Sequence, residues 1–274
     1  MIKVPFYKMS GSGNDFILID NRKGILSGMD MESFASRICV HRMSVGGDGL
    51  IFIEESKVAD FKCTLHNADG SRADMSGNGS RCTARFAFLL GIVKKDMTFE
   101  TGAGVLRAEV EGYLVKVSFP PPKDLRLNID IDIDGERYDG HFINTGVPHL
   151  VYLVNDVERL DLIKIGRATR RHNIFSPAGT NVNFIKLVSG NTLQIRTYER
   201  GVEDETLACG TGSVASAIIA SILKGVSSPV ILKTRSGKEL IVHFKRDGKL
   251  FFDILLEGDA MVIYEGEMWE EAWM

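Results

Sequence analysis

The sequence predicts an α+β protein built as two similar halves, and three features support that prediction. One glycine-rich phrase occurs twice, at residues 76–80 and 209–213, and each copy leads into an apolar segment that ends at a glycine. Most other patterned segments are short apolar or alternating runs between turn residues, which is typical of strands. Three consecutive prolines, residues 120–122, lie near the middle of the chain. Because proline continues neither a helix nor a central strand, they indicate an extended linker between the halves.

Each glycine-rich phrase predicts the start of a helix. The first helix follows Ser76-Gly77-Asn78-Gly79-Ser80 and stops at Gly91, and the second follows Cys209-Gly210-Thr211-Gly212-Ser213 and stops at Gly225. Two further helices are predicted over residues 31–39 and 160–170. Eight strands are predicted, at residues 16–20, 50–54, 61–66, 114–119, 181–187, 192–198, 230–233 and 239–244.

Composition narrows the class of protein. The 274 residues are 44% hydrophobic and 25% charged, which is enough for two domains with ample cores. The net charge of −3 and the scattered basic residues argue against a nucleic-acid partner. No run approaches the roughly 18 to 20 apolar residues of a membrane span, so no membrane partner is expected.

The N-terminal segment and the cysteines predict the cellular location of the protein. The N-terminal segment Met1-Ile2-Lys3-Val4-Pro5 lacks the long apolar region of a signal peptide, so a cytoplasmic location is expected. The four cysteines are Cys39, Cys63, Cys82 and Cys209. They follow no metal-ligand spacing and are too few and scattered for a disulfide framework, so they are interpreted as reduced thiols with no metal bound.

The two predicted helix starts offer acid/base chemistry. The first backbone N–H groups of a helix are unpaired and favour negative charge, so two such ends can hold one carboxylate. A helix N-terminus also lowers the pKa of a thiol, so Cys209 is expected to be the reactive cysteine of the chain. The serine at the head of the first copy, Ser76, cannot serve in the same way. Two facing cysteines would remove a proton from one face of a carbon and deliver one to the other, which is stereoinversion without a cofactor.

Four segments carry a resemblance to a known family. They are Ser10-Gly11-Ser12-Gly13-Asn14-Asp15-Phe16, Asn67-Ala68-Asp69-Gly70-Ser71, Gly77-Asn78-Gly79-Ser80-Arg81-Cys82 and the run from Tyr198 to Gly212. In this order, within a match from Tyr7 to Tyr264, they resemble diaminopimelate epimerase. The resemblance implies a cofactor-independent, two-base enzyme that interconverts LL- and meso-diaminopimelate, a precursor of lysine and peptidoglycan.

The resemblance also implies an architecture. It implies two pseudo-symmetric α+β domains, each a curved, mostly antiparallel sheet or barrel around a central helix, with the active site in the interdomain cleft. The expected domains are residues 1–119 with the C-terminal tail 265–274, and residues 120–264. A homodimer is expected, because Tyr264 matches a tyrosine that the family uses at its dimer contact.

Polar residues in these motifs have ordinary structural interpretations beside the functional one. Asparagines in glycine-rich turns commonly make local hydrogen bonds, and an adjacent glutamate and arginine are usually a solvated pair. The resemblance instead assigns Cys209, Ser76, His149 and Glu199 to the catalytic site. It assigns to substrate binding Asn14, Asn67, Gly77, Asn78, Asn181, Glu199, Arg200, Gly210 and Thr211.

Ser76 departs from the family, which has a catalytic cysteine there. In the favoured account, an ordinary epimerase carries a deliberate cysteine-to-serine change that leaves it crippled. In the other, the natural protein has one thiol and is a dehydratase, as in related hydroxyproline dehydratases, or a related racemase. A non-catalytic amino-acid-binding relative is the third account. Smaller departures, Val147 for asparagine and Gly49 for glutamine, leave at most backbone contacts at those positions.

Overall fold

The computed structural model describes residues 3–274. In this range four α-helices form: α1 (Met31–Ile38), α2 (Gly77–Leu89), α3 (Leu162–Arg170) and α4 (Gly210–Lys224). The strands are β1 (Lys3–Gly11), β2 (Asn14–Asp20), β3 (Gly49–Glu54), β4 (Phe61–Asn67), β5 (Arg72–Ala73), β6 (Asp96–Thr101), β7 (Gly104–Glu111), β8 (Leu114–Phe119), β9 (Lys123–Ile133), β10 (Glu136–Asn144), β11 (Pro148–Leu153), β12 (Asn181–Ser189), β13 (Thr192–Glu199), β14 (Asp204–Thr206), β15 (Val230–Lys233), β16 (Glu239–Asp247), β17 (Leu250–Asp259) and β18 (Met261–Trp269). All four predicted helices and all eight predicted strands are present, and the other ten strands were not predicted.

The chain divides into two units. The first comprises the described residues through Val117 together with Gly258–Met274, and the second comprises Ser118–Glu257. The sequence-based boundary after residue 119 lies two residues from the structural one. The return to the first unit begins at Gly258, seven residues before the expected tail, because β18 is a strand of the first unit and pairs with β1.

Strand pairing in the first unit follows a defined order. Antiparallel pairs join β18 to β1 and β1 to β2, and a parallel pair joins β2 to β3. The next strand, β4, is antiparallel to β3 and parallel to β6, and β7 and β8 complete the series as antiparallel neighbours. The short strand β5 pairs with β4 immediately before α2 begins.

The second unit repeats this order strand for strand. Antiparallel β9, β10 and β11 are followed by the parallel pair β11–β12, then antiparallel β13. Strand β13 is parallel to β15, which continues into antiparallel β16 and β17, and the short β14 pairs with β13 before α4 begins. Since the helices fall at the same places, the duplication seen in the glycine-rich phrases extends to the fold of each unit.

The repeated helices α2 and α4 are the central elements of their units. In α4 every residue from Gly210 to Ser221 is buried, and in α2 the first eight residues are. A helix that is buried on all sides must be enclosed by other elements, and each of the two contacts several strands of its own sheet. The sheet of each unit therefore curves around a helix that begins at Ser76 or at Cys209.

Alternation along the strands decides which side chains reach the central helix. In β2, Phe16 and Leu18 join the core around α2, while Ile17 and Ile19 join the core around α1. In the second unit, β12 and β13 direct Val182, Phe184 and Tyr198 into the core around α3. Successive residues of a strand point to opposite faces, so the alternate positions of these strands face the central helix.

The C-terminal tail packs on the first unit, as the resemblance implied. The ring of Trp273 lies edge-on to Phe34 of α1 with 5.3 Å between ring centroids, and the guanidinium of Arg37 donates to the Trp273 carbonyl at 2.9 Å. Among residues 3–274, no helix has both the length and the apolar character needed to cross a membrane.

Candidate active site

Ser76 is the N-cap of α2. Its backbone is extended, with φ −131° and ψ 129°, and its Oγ accepts a hydrogen bond from the backbone N–H of Gly79 at 3.2 Å. The carbonyl of Ser76 accepts from Ser80 N–H at 2.8 Å, which starts the helical ladder. The half-buried hydroxyl therefore sits where a helix N-terminus concentrates N–H groups.

Cys209 is the N-cap of α4 with nearly the same geometry. Its φ is −117° and its ψ is 113°, and its Sγ accepts from the N–H of Gly212 at 3.4 Å. The hydroxyl of Thr211 also lies 3.4 Å from the sulfur. The Thr211 carbonyl accepts from Thr145 at 3.0 Å, which fixes the first turn of α4 to the sheet. Ser76 and Cys209 are thus equivalent positions of the repeat.

The expectation that this helix end lowers the pKa of Cys209 is wrong. Burial, together with the nearby carboxylate of Glu199, raises the pKa of the Cys209 thiol to about 12 and outweighs the hydrogen bonds from Thr211 and Gly212. The pKa values of Cys39, Cys63 and Cys82 are raised to a similar degree by burial. Cys209 is therefore a protonated thiol, which can act as an acid at neutral pH, and its pKa does not single it out for alkylation.

Asn14 and Asn78 come together in the first unit. Asn78 Nδ2 donates to Asn14 Oδ1 at 3.4 Å, and Asn14 Nδ2 donates to Asp48 at 2.6 Å. Asn14 follows a two-residue hairpin turn in which Ser12 and Gly13 both have positive φ, 56° and 95°. Such turns match the twist of paired strands and place the start of β2 beside the N-terminus of α2.

The side chain of Arg81 connects Asn78 to the turn that precedes β2. This side chain is fully buried, and its guanidinium donates to Ser12 Oγ and Asn78 Oδ1 at 3.0 Å each, to the Gly77 carbonyl at 3.2 Å and to the Asp259 carbonyl at 3.2 Å. Ser12 in turn donates to the Asp259 carboxylate at 2.7 Å. Burial lowers the pKa of Arg81 to about 10, so it remains charged at neutral pH.

Asn67 lies at the end of β4 and is exposed. Its Nδ2 donates to Ser71 Oγ at 3.0 Å within the local turn. Gly49 pairs with Asn67 across the sheet. A Cβ at Gly49 would lie 2.8 Å from the His66 carbonyl, so a side chain fits there only if the backbone shifts.

The start of β12 lies beside the end of the antiparallel strand β13. Asn181 is the first residue of β12, Glu199 is the last residue of β13, and Arg200 follows it. The side chain of Asn181 accepts from the Arg200 N–H at 2.8 Å and donates to the Pro148 carbonyl at 3.0 Å. The guanidinium of Arg200 reaches the Ala178 carbonyl at 3.2 Å. Asn181 thus fixes the backbone that presents Arg200, while the Glu199 carboxylate acts on the pKa of Cys209.

A buried polar cluster lies on the α4 side of the second sheet and consists of His149, Asn183 and Thr197. His149 Nδ1 lies 3.1 Å from Asn183 Nδ2, and Thr197 Oγ1 donates to Asn183 Oδ1 at 3.0 Å. Burial, and to a lesser extent Arg200, lowers the pKa of His149 to about 3, so the ring is neutral at pH 7. Asn183 also lies against the first turn of α4, which ties His149 to the helix that begins at Cys209.

One group in the described part of the chain has the side-chain types of a cation site. Asp15, His41 and Asp48 lie close together. The Lys8 ammonium already pairs with Asp15 at 2.6 Å, and the amide of Asn14 donates to Asp48. Both carboxylates therefore already have partners within the protein. Their role is to order the start of β2.

Comparison with known proteins identifies the family. The sequence pattern of the family described as diaminopimelate epimerase matches residues 6–119 and 141–262. The chain belongs to the diaminopimelate epimerase family. A diaminopimelate epimerase of Aquifex aeolicus is 48% identical to it over 98% of this chain and 99% of its own length. One of Hydrogenobaculum is 43% identical over 94% of this chain and 96% of its own length.

Solved structures of more distant proteins share the fold. A hydroxyproline epimerase of Agrobacterium vitis aligns with a TM-score of 0.74 over 97% of this chain and 92% of its own, at 12% identity. A PhzF-family phenazine biosynthesis protein of Bacillus anthracis gives 0.72 over 98% of this chain and 100% of its own, at 17% identity. The α+β fold with two similar units, predicted from the sequence, is confirmed.

Sequence reasoning missed residues that support this candidate site. Arg81 was read only as part of a motif, although a charged residue inside a short apolar helix is itself a signal of a buried polar network. Asn183 and Thr197 alternate with apolar residues in β12 and β13, and that alternation would have placed them on the face of Cys209.

Replacing Gly212 by alanine tests the contact between Asn183 and α4. A Cβ at Gly212 would lie 2.3 Å from Asn183 Oδ1 and 3.3 Å from Cys209 Sγ. We expect Gly212→Ala to lower the free energy of unfolding by about 1–3 kcal/mol through this clash, although alanine favours a helix by about 1 kcal/mol over glycine. Urea unfolding measures the change.

Gly79 is the matched control, since it occupies the same place in the first copy. A Cβ there would lie no closer than 3.3 Å to its nearest neighbours, Ile51 Cδ1 and Ser76 Cβ, so Gly79→Ala should lower the free energy of unfolding clearly less. Equal losses in the two variants would contradict the contact between Asn183 and the first turn of α4.

Proposed function

We propose that this protein is built to interconvert LL- and meso-diaminopimelate by proton transfer at one α-carbon, without a cofactor. The observation that carries the proposal is the repeated helix start, in which Ser76 Oγ and Cys209 Sγ each accept from the backbone N–H three residues on. A two-base epimerase needs one acid/base group for each face of the carbon, and each unit supplies one position. Membership of the diaminopimelate epimerase family supplies the substrate.

The protonation state of Cys209 assigns the roles of acid and base to the two positions. The group at position 76 removes the α-proton, and the Cys209 thiol donates its proton to the opposite face, leaving a thiolate. The raised pKa of Cys209 suits the acid, because the thiol is protonated at neutral pH before substrate binds. The N–H groups of Gly77, Asn78, Gly210 and Thr211 hold the carboxylate next to the carbanion. Ser76 is too weak a base for its role, so the present chain is crippled.

The polar residues complete substrate recognition in this proposal. Glu199 and Arg200 meet the ammonium and carboxylate of the remote amino-acid end, with Asn14, Asn67 and Asn181 supplying amide donors and acceptors. Asn181 acts in part by holding Arg200, since its side chain bonds the Arg200 N–H. His149 assists near the reacting centre.

Ser76 itself favours a second candidate. A chain with one thiol and one hydroxyl retains an amino-acid site without two-base turnover, which suits a binding relative or a dehydratase that needs only one base. Ligand choice separates this candidate from the first, because a site for diaminopimelate must recognise two amino-acid ends.

Calorimetry tests the substrate assignment on the protein as it stands. We expect binding of both LL- and meso-diaminopimelate, and a loss of about 10–100-fold in affinity for Arg200→Ala, because a hydrogen bond to a charged group contributes about 1.5–3 kcal/mol. Arg171→Ala is the matched control, since that side chain is 67% exposed and pairs with Glu203. Binding of proline or hydroxyproline with none of diaminopimelate would reject the assignment in favour of the second candidate.

We further propose that the protein is a homodimer that uses Tyr264. Support comes from the exposure of large apolar side chains on β18, where Met261, Ile263 and Tyr264 are 37%, 57% and 45% exposed. Large apolar side chains exposed on one strand fit an interaction surface. We expect sedimentation velocity to show a dimer that Tyr264→Glu dissociates, while Tyr113→Glu, at a tyrosine 54% exposed, leaves it intact. A monomer for the unsubstituted chain, or equal behaviour of both variants, would contradict this.

A cytoplasmic location completes the proposal. The four cysteines are buried and free of disulfides, and a thiol-dependent reaction requires a reducing compartment.

A further inference from the structure

The side-chain amide of Asn183 has a neighbour for each of its polar groups. Its nitrogen lies 3.1 Å from the Leu150 carbonyl oxygen and 3.1 Å from His149 Nδ1, and its oxygen accepts from the Thr197 hydroxyl at 3.0 Å. Asn183, His149 and Thr197 are all buried. Water therefore does not compete for these bonds.

The Leu150 carbonyl decides which way the amide faces. A carbonyl oxygen only accepts hydrogen bonds, so the group beside it must be the NH2 of Asn183 and not its oxygen. The second hydrogen of that NH2 then points at His149 Nδ1. Only one partner of a hydrogen bond donates, and here the donor is the Asn183 NH2. His149 Nδ1 must therefore be the unprotonated ring nitrogen.

We propose that Asn183 is a positioning residue that fixes His149 as the Nε2–H tautomer, so that His149 serves the site as a neutral hydrogen-bond donor and not as a base. The lone pair of the ring is directed at the Asn183 amide, where no substrate proton can reach it. The Nε2–H group is buried and has no hydrogen-bond partner among the described residues. A buried donor left unpaired is unfavourable, so an acceptor brought by a ligand is favoured there.

The acceptor follows from the proposed function, on which this step rests. A substrate carboxylate oxygen is an acceptor with several lone pairs, and the first turn of α4 supplies further N–H donors for it. Asn183 Oδ1 is the atom that a Cβ at Gly212 would meet first, so the amide joins His149 to that turn. Arg200 is the charged group that acts on His149, and its positive charge further disfavours an imidazolium.

Nitrogen-15 NMR of the histidine rings tests the proposal in the ligand-free protein. The chain has six histidines, and His149 is assigned by its loss in His149→Gln. We expect the signature of a ring protonated on Nε2 alone, unchanged from pH 7 to pH 5. His141 is the internal reference, because its Nδ1 accepts from the Asn128 N–H at 3.2 Å and is held in the same tautomer independently of Asn183.

The decisive variant is Asn183→Asp. A carboxylate can only accept, so the proton of the His149 ring should move to Nδ1 and its pKa should rise, while His141 stays unchanged. Asn173→Asp makes the same chemical change at an exposed position and should alter neither ring. If Asn183→Asp does not fold, as judged from dispersion of the amide spectrum, Asn183→Ala replaces it and should give a mixture of tautomers.

Three outcomes would overturn the proposal. They are an Nδ1–H ring at His149 in the unsubstituted protein, titration of that ring near its ordinary pKa, or an unchanged tautomer in the folded Asn183 variant. Because the ring is observed without substrate, these outcomes do not depend on whether diaminopimelate is bound or turned over. Failure of the proposed function would appear instead in the calorimetry.

Discussion

Replacing Ser76 by cysteine is expected to raise the rate of LL-diaminopimelate epimerisation by about 10²–10⁴-fold, because that is the typical contribution of one positioned acid/base group. The measurement is turnover of LL- to meso-diaminopimelate, with deuterium incorporation from solvent at the α-carbon. Binding should change little, since the change adds a proton acceptor and no new contact to the substrate.

The local geometry supports this expectation. A sulfur at position 76 would take the place of an oxygen that already accepts from Gly79 N–H, as the Cys209 sulfur accepts from Gly212 N–H. The side chain at position 76 is half-buried, so a thiol there is less desolvated than the one at Cys209. Desolvation is the main cause of the raised pKa of Cys209, so the new thiol is the better base of the pair.

Two controls accompany the measurement. Cys209→Ser in the Ser76→Cys protein should return turnover to the level of the present chain, because it removes the acid. Exhaustive chelation should leave turnover unchanged, because the proposed reaction uses no metal. Equal turnover by the present chain and the Ser76→Cys protein would force the two-thiol mechanism to be abandoned for this protein.

The elements that the sequence predicts are those with strong local signals. Helix α3 begins at Leu162, two residues later than predicted, because the side chain of Asp161 caps it by accepting from Lys164 N–H at 3.1 Å. Helix α4 ends at Gly225, as predicted, with φ +68°, a conformation that favours glycine. Strands such as β9, whose residues are mostly exposed or half-buried, lack the apolar runs by which strands were identified.

The electrostatics of the site did not follow from local sequence. The helix N-terminus at Cys209 is local and was predicted, but the pKa of the thiol depends on burial by residues distant in sequence and on the carboxylate of Glu199. The tautomer of His149 likewise depends on Asn183, 34 residues away along the chain. Such effects arise from tertiary packing, which motif spacing does not encode.

The largest stability effect is expected at Arg81. Replacing it by leucine should lower the free energy of unfolding by about 3–5 kcal/mol, because each buried polar group left without its partner costs about 1–3 kcal/mol. The Asp259 carbonyl loses its donor, and the nearby Asp259 carboxylate loses the favourable charge of the guanidinium. Ser12, Asn78 and the Gly77 carbonyl also lose a donor. Urea unfolding monitored by circular dichroism measures the change.

Two variants control for this interpretation. Arg72→Leu removes an exposed arginine of the same unit and should change the free energy of unfolding by no more than about 0.5 kcal/mol. Arg81→Lys keeps the charge but presents one nitrogen where three nitrogens of the guanidinium now bond four acceptors. We therefore expect the free energy of unfolding of Arg81→Lys to lie between those of Arg81→Leu and the unsubstituted protein. A loss below about 1 kcal/mol for Arg81→Leu would mean that the four bonds are replaced by relaxation, and that Arg81 does not hold Asn78 and the β1–β2 turn at the start of α2.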